Sequence, residues 1–421
     1  MSLDLRKITL QFFFIAGLLL PLAGQVSALS YSEFPLTAAD PIENAEFGRS
    51  IAIDGDCVVV GAAEGSDEVE VGTGSAYIFR HIQGAYVQEA KLDPKLDDPD
   101  IEDGAEFGRA VAVKGNVIVV GARFAKSGST EKAGAAYIYK KTNGAWSFVQ
   151  KVTAEDSAAE DNFGRALARD NDLLVVTARK EDVSVENDGA AYVFRQRGGT
   201  WIQEAKLRAS DSTVQARFGQ SVAVRGNLVV VEARDANTPV TDGAGAVYLF
   251  SHSQGRWNQY AKLYAGDGAA GDQFAFNVAV SGNLIAVGAR RADPVGKKDA
   301  GAVYLFQVQG KGWHQVDKLT ASDAKEGDEL GHSVAMSNDF IAAGARRTDI
   351  DGKKDQGAVY LFKWSGNRWM EEAKITASDG GAGDEFGHSL SAHGNKIAVG
   401  ANIADVEVTD QGAAYIYHLK E

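Results

Sequence analysis

Two short apolar runs, residues 221–224 (SVAV) and 228–231 (LVVV), flank a turn built on Gly226-Asn227. β-Branched runs separated by a Gly-Asn turn predict an antiparallel hairpin. A third apolar segment, residues 245–250 (GAVYLF), follows a polar loop, and a fourth, residues 257–263 (WNQYAKL), alternates polar and apolar positions. Unbroken apolar runs suit strands covered on both faces, whereas alternation suits a half-exposed strand. The segment therefore reads as a unit of four antiparallel strands, the fourth outermost.

This unit recurs seven times, about every 56 residues. Its first landmark is Phe47-Gly48, Phe107-Gly108, Phe163-Gly164, Phe218-Gly219, Phe274-Ala275, Leu330-Gly331 and Phe386-Gly387. A small-residue pair follows, beginning at Gly61, Gly121, Thr177, Glu232, Gly288, Gly344 and Gly400, and then an aromatic pair such as Tyr248/Phe250. Repeated four-stranded units predict a β-propeller, and 47 glycines suit its many turns. A solenoid needs distinct capping repeats. Here the seventh unit stops after its third strand, and residues 34–40 (FPLTAAD) match residues 317–323 (DKLTASD), the end of a fourth strand. The expectation is an all-β, seven-bladed propeller whose last blade is closed by the N-terminal strand, so that no sheet edge is left unpaired between first and last blades.

Arg6 and Lys7 precede an apolar run from Ile8 to Ala23, and Val26-Ser27-Ala28 supplies the small residues of a cleavage site. This pattern reads as a secretory signal peptide over residues 1–28, leaving residues 29–421 as one propeller domain. No second apolar stretch occurs, so no membrane span is expected once the signal is removed. The single cysteine, Cys57, sits where Leu228 and Leu284 sit in other units and reads as a small buried hydrophobe. A secreted chain without disulfides points to a periplasmic or extracellular bacterial protein, expected as a monomer. The net charge of −14 argues against nucleic acid as a partner.

The order Phe-Gly, Gly-Ala, then Gly-Ala-x-Tyr-x-Phe resembles the FG-GAP repeat of the integrin α-subunit propeller, and above all its secreted bacterial members, over residues 31–421. The resemblance implies a propeller that serves adhesion or ligand binding. One departure matters. Integrin-type repeats carry an acidic calcium loop between the Phe-Gly and Gly-Ala landmarks, where this chain has a two-residue turn in most units. A different loop offers Asp349, Asp351 and Asp355 around Gly352, part of a calcium pattern. Calcium is the one cofactor the sequence leaves open, beside the plainer reading of an Asp-Gly turn.

In an up-and-down blade the two-to-three and four-to-one loops share one face, and variable loops on a rigid scaffold are where binding concentrates. Arg123, Arg179, Arg234, Arg290 and Arg346 follow the small-residue pairs on that face, while Arg49, Arg109, Arg165, His332 and His388 follow the Phe-Gly landmarks nearer the axis. Arginines gathered at one mouth of an acidic protein suit a carboxylate, sulfate or phosphate. The competing reading is structural, with the arginines paired to the four-to-one loop acids Asp40, Asp156, Asp211, Asp267, Asp323 and Asp379. None of the seven histidines forms a zinc motif, and no nucleophile elbow is present. Tryptophan opens the fourth strand in five units, a recurrence that reads as packing. The sequence thus predicts a secreted, non-enzymatic binding or adhesion module for a protein or anionic glycan. The alternatives are a carbohydrate-active enzyme using the same face and a structural envelope or matrix protein.

Overall fold

A computed structural model describes residues 29–63, 72–182, 185–310 and 312–420. The predicted signal peptide lies outside them. Within them the chain forms seven four-stranded antiparallel sheets, each in simple up-and-down order. Blade one runs Phe47–Asp54, Cys57–Ala62, Ser75–Ile82 and Ala85–Leu92. Blades two to seven begin at Phe107, Phe163, Phe218, Phe274, Ser333 and Ser389. The last blade takes its outer strand from the N-terminal side: Tyr31–Leu36 pairs with Ala413–Leu419, Tyr31 opposite Leu419 and Leu36 opposite Ala414. Among the described residues no helix is long and apolar enough to cross a membrane.

Burial follows the sequence pattern. All six residues of Cys57–Ala62 and of Val117–Ala122 are buried, whereas Ala145–Val152 and Arg256–Leu263 alternate between exposed and partly buried positions. The core is divided among the seven seams between blades. Val59 and Ile78 of blade one pack with Phe107, Ile118, Val120 and Tyr137 of blade two. The closing seam joins Ala398, Ile416 and Leu36 of blade seven to Phe47, Ile51 and Val60 of blade one. Each fully covered Val, Ile, Leu or Phe contributes about 1.5–3 kcal/mol. A single blade on its own has both faces of its sheet bare, so stability is a property of the ring.

The two landmarks of the repeat meet across each seam. A Cβ on Gly61 would stand 2.1 Å from the Gly108 carbonyl oxygen, and one on Gly400 would stand 2.0 Å from that of Gly48. The small-residue pair ends the second strand of one blade where the Phe-Gly segment of the next crosses it. Thr177 and Glu232 replace this glycine, and Ala275, at φ 70°, faces the latter.

Candidate functional site: an arginine-lined channel mouth

The Phe-Gly landmark is a β-bulge. Pairing between first and second strands slips between Phe47 and Ser50 in blade one and between Phe107 and Ala110 in blade two. Blades three to five slip at the same place. Gly48 and Gly108 adopt φ 93° and 97°, which side chains rarely take. A bulge of this kind re-aims the residue that follows it. In blades one to five that residue is Arg49, Arg109, Arg165, Gln220 or Phe276, and in blades six and seven His332 and His388 stand at the equivalent position just before the paired strand; all seven line one mouth of the central channel. Arg123, Arg179, Arg234, Arg290 and Arg346 reach the same mouth from the ends of the second strands. All eight arginines and both histidines singled out in the sequence line one cavity of about 600 Å³.

The arginines are not equivalent. Arg123 is clamped by Glu106 through two hydrogen bonds, 2.7 Å from Nε and 2.6 Å from Nη2, with both side chains almost wholly buried. Arg346 donates to Glu329 at 3.0 Å and to Glu385 at 2.5 Å. Arg290 donates to Gln273 at 2.6 Å and to Glu329 at 3.2 Å, and Arg49 to Glu46 at 3.0 Å. Arg179 reaches Gln220 at 3.2 Å, and Arg234 lies beside Asp235.

Arg109 and Arg165 differ. The Arg109 side chain is 9% exposed, and the nearest carboxylate, already committed to Arg123, is 3.8 Å away. Buried Nε of Arg109 and of Arg165 has no hydrogen-bond partner among the described residues. In blade three the position before the landmark holds Asn162, so Arg165 lacks the carboxylate that Glu106 or Glu329 gives its neighbours. Burial, then the guanidiniums of Arg49 and Arg123, pull Arg109 well below its ordinary pKa. Burial, then Arg109 and Arg179, do the same to Arg165.

His332 and His388 pack at a tilt with ring centroids 4.9 Å apart, and His332 also packs at a tilt against Phe276. Burial lowers both, His388 to about 3, so at neutral pH they offer polar atoms and no charge. Burial also lowers Arg290, to about 10. At the opposite mouth of the channel charges are matched: Asp54 accepts from Lys114 and from the Gly115 amide, and His393 lies 3.2 Å from Asp54.

The structural clamp exists, with different acids from those expected. Arg49, Arg123, Arg290 and Arg346 pair with Glu46, Glu106, Glu329 and Glu385, the residues directly before the Phe-Gly landmark. Each of these glutamates has a positive φ, between 53° and 59°, and the identical position before four landmarks was the signal available in the sequence. The loop aspartates hold the outer half of each blade. Asp156 accepts from Tyr192 and Lys206, Asp211 from Tyr248 and Lys262, and Asp323 from Tyr360 and Lys374. Burial alone would raise these carboxyls, but the lysine and tyrosine donors outweigh it and hold them below the usual range.

Asp349, Asp351 and Asp355 sit on a short loop after the second strand of blade six. Asp349 Oδ1 accepts the Asp355 amide at 2.9 Å, as Asp293 accepts that of Asp299 and Asp405 that of Asp410. These carboxylates thus fold their own loops. Among the described residues no group of three or more His, Cys, Asp or Glu is arranged to hold a metal ion.

A family model described as FG-GAP repeat matches residues 33–79, 86–139, 146–194, 201–250, 257–306, 313–362 and 369–417. No curated protein matches the chain. Among solved structures, a chain of the "Crystal Structure of Mitotic Checkpoint Complex" aligns with a TM-score of 0.54 at 13% identity, over 98% of each chain. At that identity the likeness is one of fold.

Proposed function

The chain belongs to the FG-GAP repeat family, and from that premise we propose that it is a secreted, monomeric, non-enzymatic binding or adhesion module whose arginine mouth takes an anionic group of its ligand. The ligand is a protein or glycan carrying a carboxylate, sulfate or phosphate, and the mature protein is residues 29–421. The observation that supports this reading is the pair Arg109 and Arg165, partly buried at the mouth, each with a buried Nε that has no hydrogen-bond partner among the described residues and no carboxylate in hydrogen-bond reach. Guanidiniums crowded together with incomplete hydrogen bonding are costly unless an anion completes them. The planar fork of a guanidinium suits oxyanions. No calcium role is assigned to Asp349, Asp351 and Asp355; a calcium-dependent rise in stability would reopen one.

Clamp and site separate by mutation. Arg123→Ala removes both hydrogen bonds that Arg123 makes to buried Glu106 and should cost at least about 1.5–3 kcal/mol of stability. Arg165→Ala removes a charge with no partner and should leave stability unchanged or slightly higher. Thermal unfolding of residues 29–421 is then followed with sulfated, phosphorylated and uronic acid polysaccharides at physiological salt. The expected result is a saturable rise in Tm with at least one of them, absent in Arg165→Ala. A flat response to every polyanion, or one unchanged in Arg165→Ala, would overturn the reading.

A further inference from the structure

The opposite face, carrying the hairpin turns, has one break in its pattern. At two seams the tryptophan that opens a fourth strand is hydrogen-bonded to the preceding blade, and the indole nitrogens of Trp146 and Trp201 are buried without an acceptor among the described residues. Trp257 Nε1 donates to Glu204 at 3.2 Å, and Trp313 Nε1 to the Tyr260 hydroxyl at 3.2 Å. The acceptor position is the fifth residue of the preceding fourth strand. At the seam of blades two and three it is Val149, but Arg169 covers Trp201, leaving that indole 2% exposed. At the seam of blades five and six it is Val316, and no described residue covers the gap. Trp369 Nε1 has no acceptor among the described residues, and a cavity of about 570 Å³ opens between the two blades.

One wall of this cavity is specific to blade six. Trp364 ends its third strand, where other blades place His81, Lys141, Gln196, His252 or Val308. It is 54% exposed and lies edge-on to Trp369, ring centroids 5.8 Å apart at 60°. Met336 and Val316 continue the apolar lining, and Asn338, Asn367 and Arg368 stand around the rim. Concave sites that fix small ligands combine such apolar walls with a few polar groups.

We propose that this cleft is a binding site for a neutral pyranose unit of a saccharide. A pyranose has an apolar face of axial C–H groups that suits an exposed indole, and hydroxyls at its edge that suit side-chain amides. The unpaired Trp369 N–H supplies a donor of the kind that aromatic residues present where one end is apolar and the other wet. The cleft stands on the far side of the disk from the arginine mouth, so this proposal does not depend on the anionic one. A chain with both sites would hold a glycan by one face and an anionic group by the other.

Titration calorimetry with neutral gluco-, galacto- and manno-configured hexaoses and with chitohexaose, at up to roughly 10 mM, tests it. At least one should bind saturably, insensitive to salt. Trp364→Ala should weaken that binding at least tenfold, a loss of about 1.4 kcal/mol. Val316→Glu, which installs the acceptor that Glu204 provides elsewhere, should close the cleft and weaken it likewise. Arg165→Ala should leave it intact. Since Trp364 is exposed, its variant is expected to fold, and unfolding curves check this. Absence of binding by every neutral sugar, or binding that survives both Trp364→Ala and Val316→Glu, would overturn the proposal.

Discussion

At the scale of residues, the same side chain does different work according to what stands beside it. Arg123 and Arg165 lie at one mouth, yet Glu106 makes the first a clamp and Asn162 leaves the second without one. Asp161 is a further case. It accepts the Ala158 amide at 2.6 Å and is 4% exposed. Burial, then the neighbouring Glu181 carboxyl, push its carboxyl up to about 7. The fold therefore retains a proton that the unfolded chain releases near its ordinary value of about 3.9. Between these values the folded state binds more protons, so stability falls as pH rises. Asp161→Asn cannot ionise and keeps an acceptor for Ala158. It should be more stable than the parent by about 1–2 kcal/mol at pH 8, with the advantage gone near pH 4. Urea midpoints at both pH values measure this, and a constant difference would refute the assignment.

At the scale of elements, the blade is built to meet its neighbour. The family match makes this plain: residues 86–139 run from the outer strand of blade one to the third strand of blade two, so each repeat spans a seam. The bulge that aims the mouth residues is also the seam contact. A Cβ at Gly108 would lie 2.4 Å from the Ser75 carbonyl oxygen, whereas at Gly115, in a hairpin turn with φ 60°, it would meet nothing within 4 Å. Gly115→Ala should cost about 1 kcal/mol, from left-handed backbone alone. Gly108→Ala adds a backbone clash and should cost at least about 2–3 kcal/mol. Equal losses in chemical denaturation would show that the seam is looser than its geometry.

At the scale of the whole molecule, the ring is closed by one short strand, Tyr31–Leu36, whose Pro35 is tolerated because the strand is outermost. Without it, the edge of Ala413–Leu419 is bare and the aromatic pair Tyr31–Tyr417, at 5.3 Å, is lost. Deleting residues 29–36 should lower stability by at least about 3 kcal/mol and promote association through the free edge. A peptide of residues 29–40 added in trans should restore a monodisperse species in size-exclusion chromatography. A deletion variant that stays monomeric and equally stable would mean that the closure contributes little. Charge is also a property of the whole. A chain of net −14 concentrates eight arginines at one mouth, and a local cluster of that sign is what would draw the proposed oxyanion to this face.

The repeat, its strand order, the closure and the ten residues of the mouth were all legible in the chain, because each depends on periodic spacing and periodicity survives in one dimension. The aspartates were misassigned. Loop order places Asp156 as near Arg179 as Lys206, and only the pairing of the third and fourth strands, Tyr192 opposite Lys206, decides which donor it meets. The glutamates before the landmarks were visible as letters, but their role needs a backbone that turns left-handed at that residue and points the carboxylate across the bulge. The Trp364 cleft was hidden for a different reason. It arises from a substitution in blade five, Val316, and another in blade six, Trp364, at positions 48 residues apart in sequence. Sequence by itself determined which unit is repeated and how the ring closes, because hydrophobic pattern fixes strands and their faces. Tertiary structure alone decided which charges cancel and which seam stays open, because partnership between side chains is a matter of distance across blades.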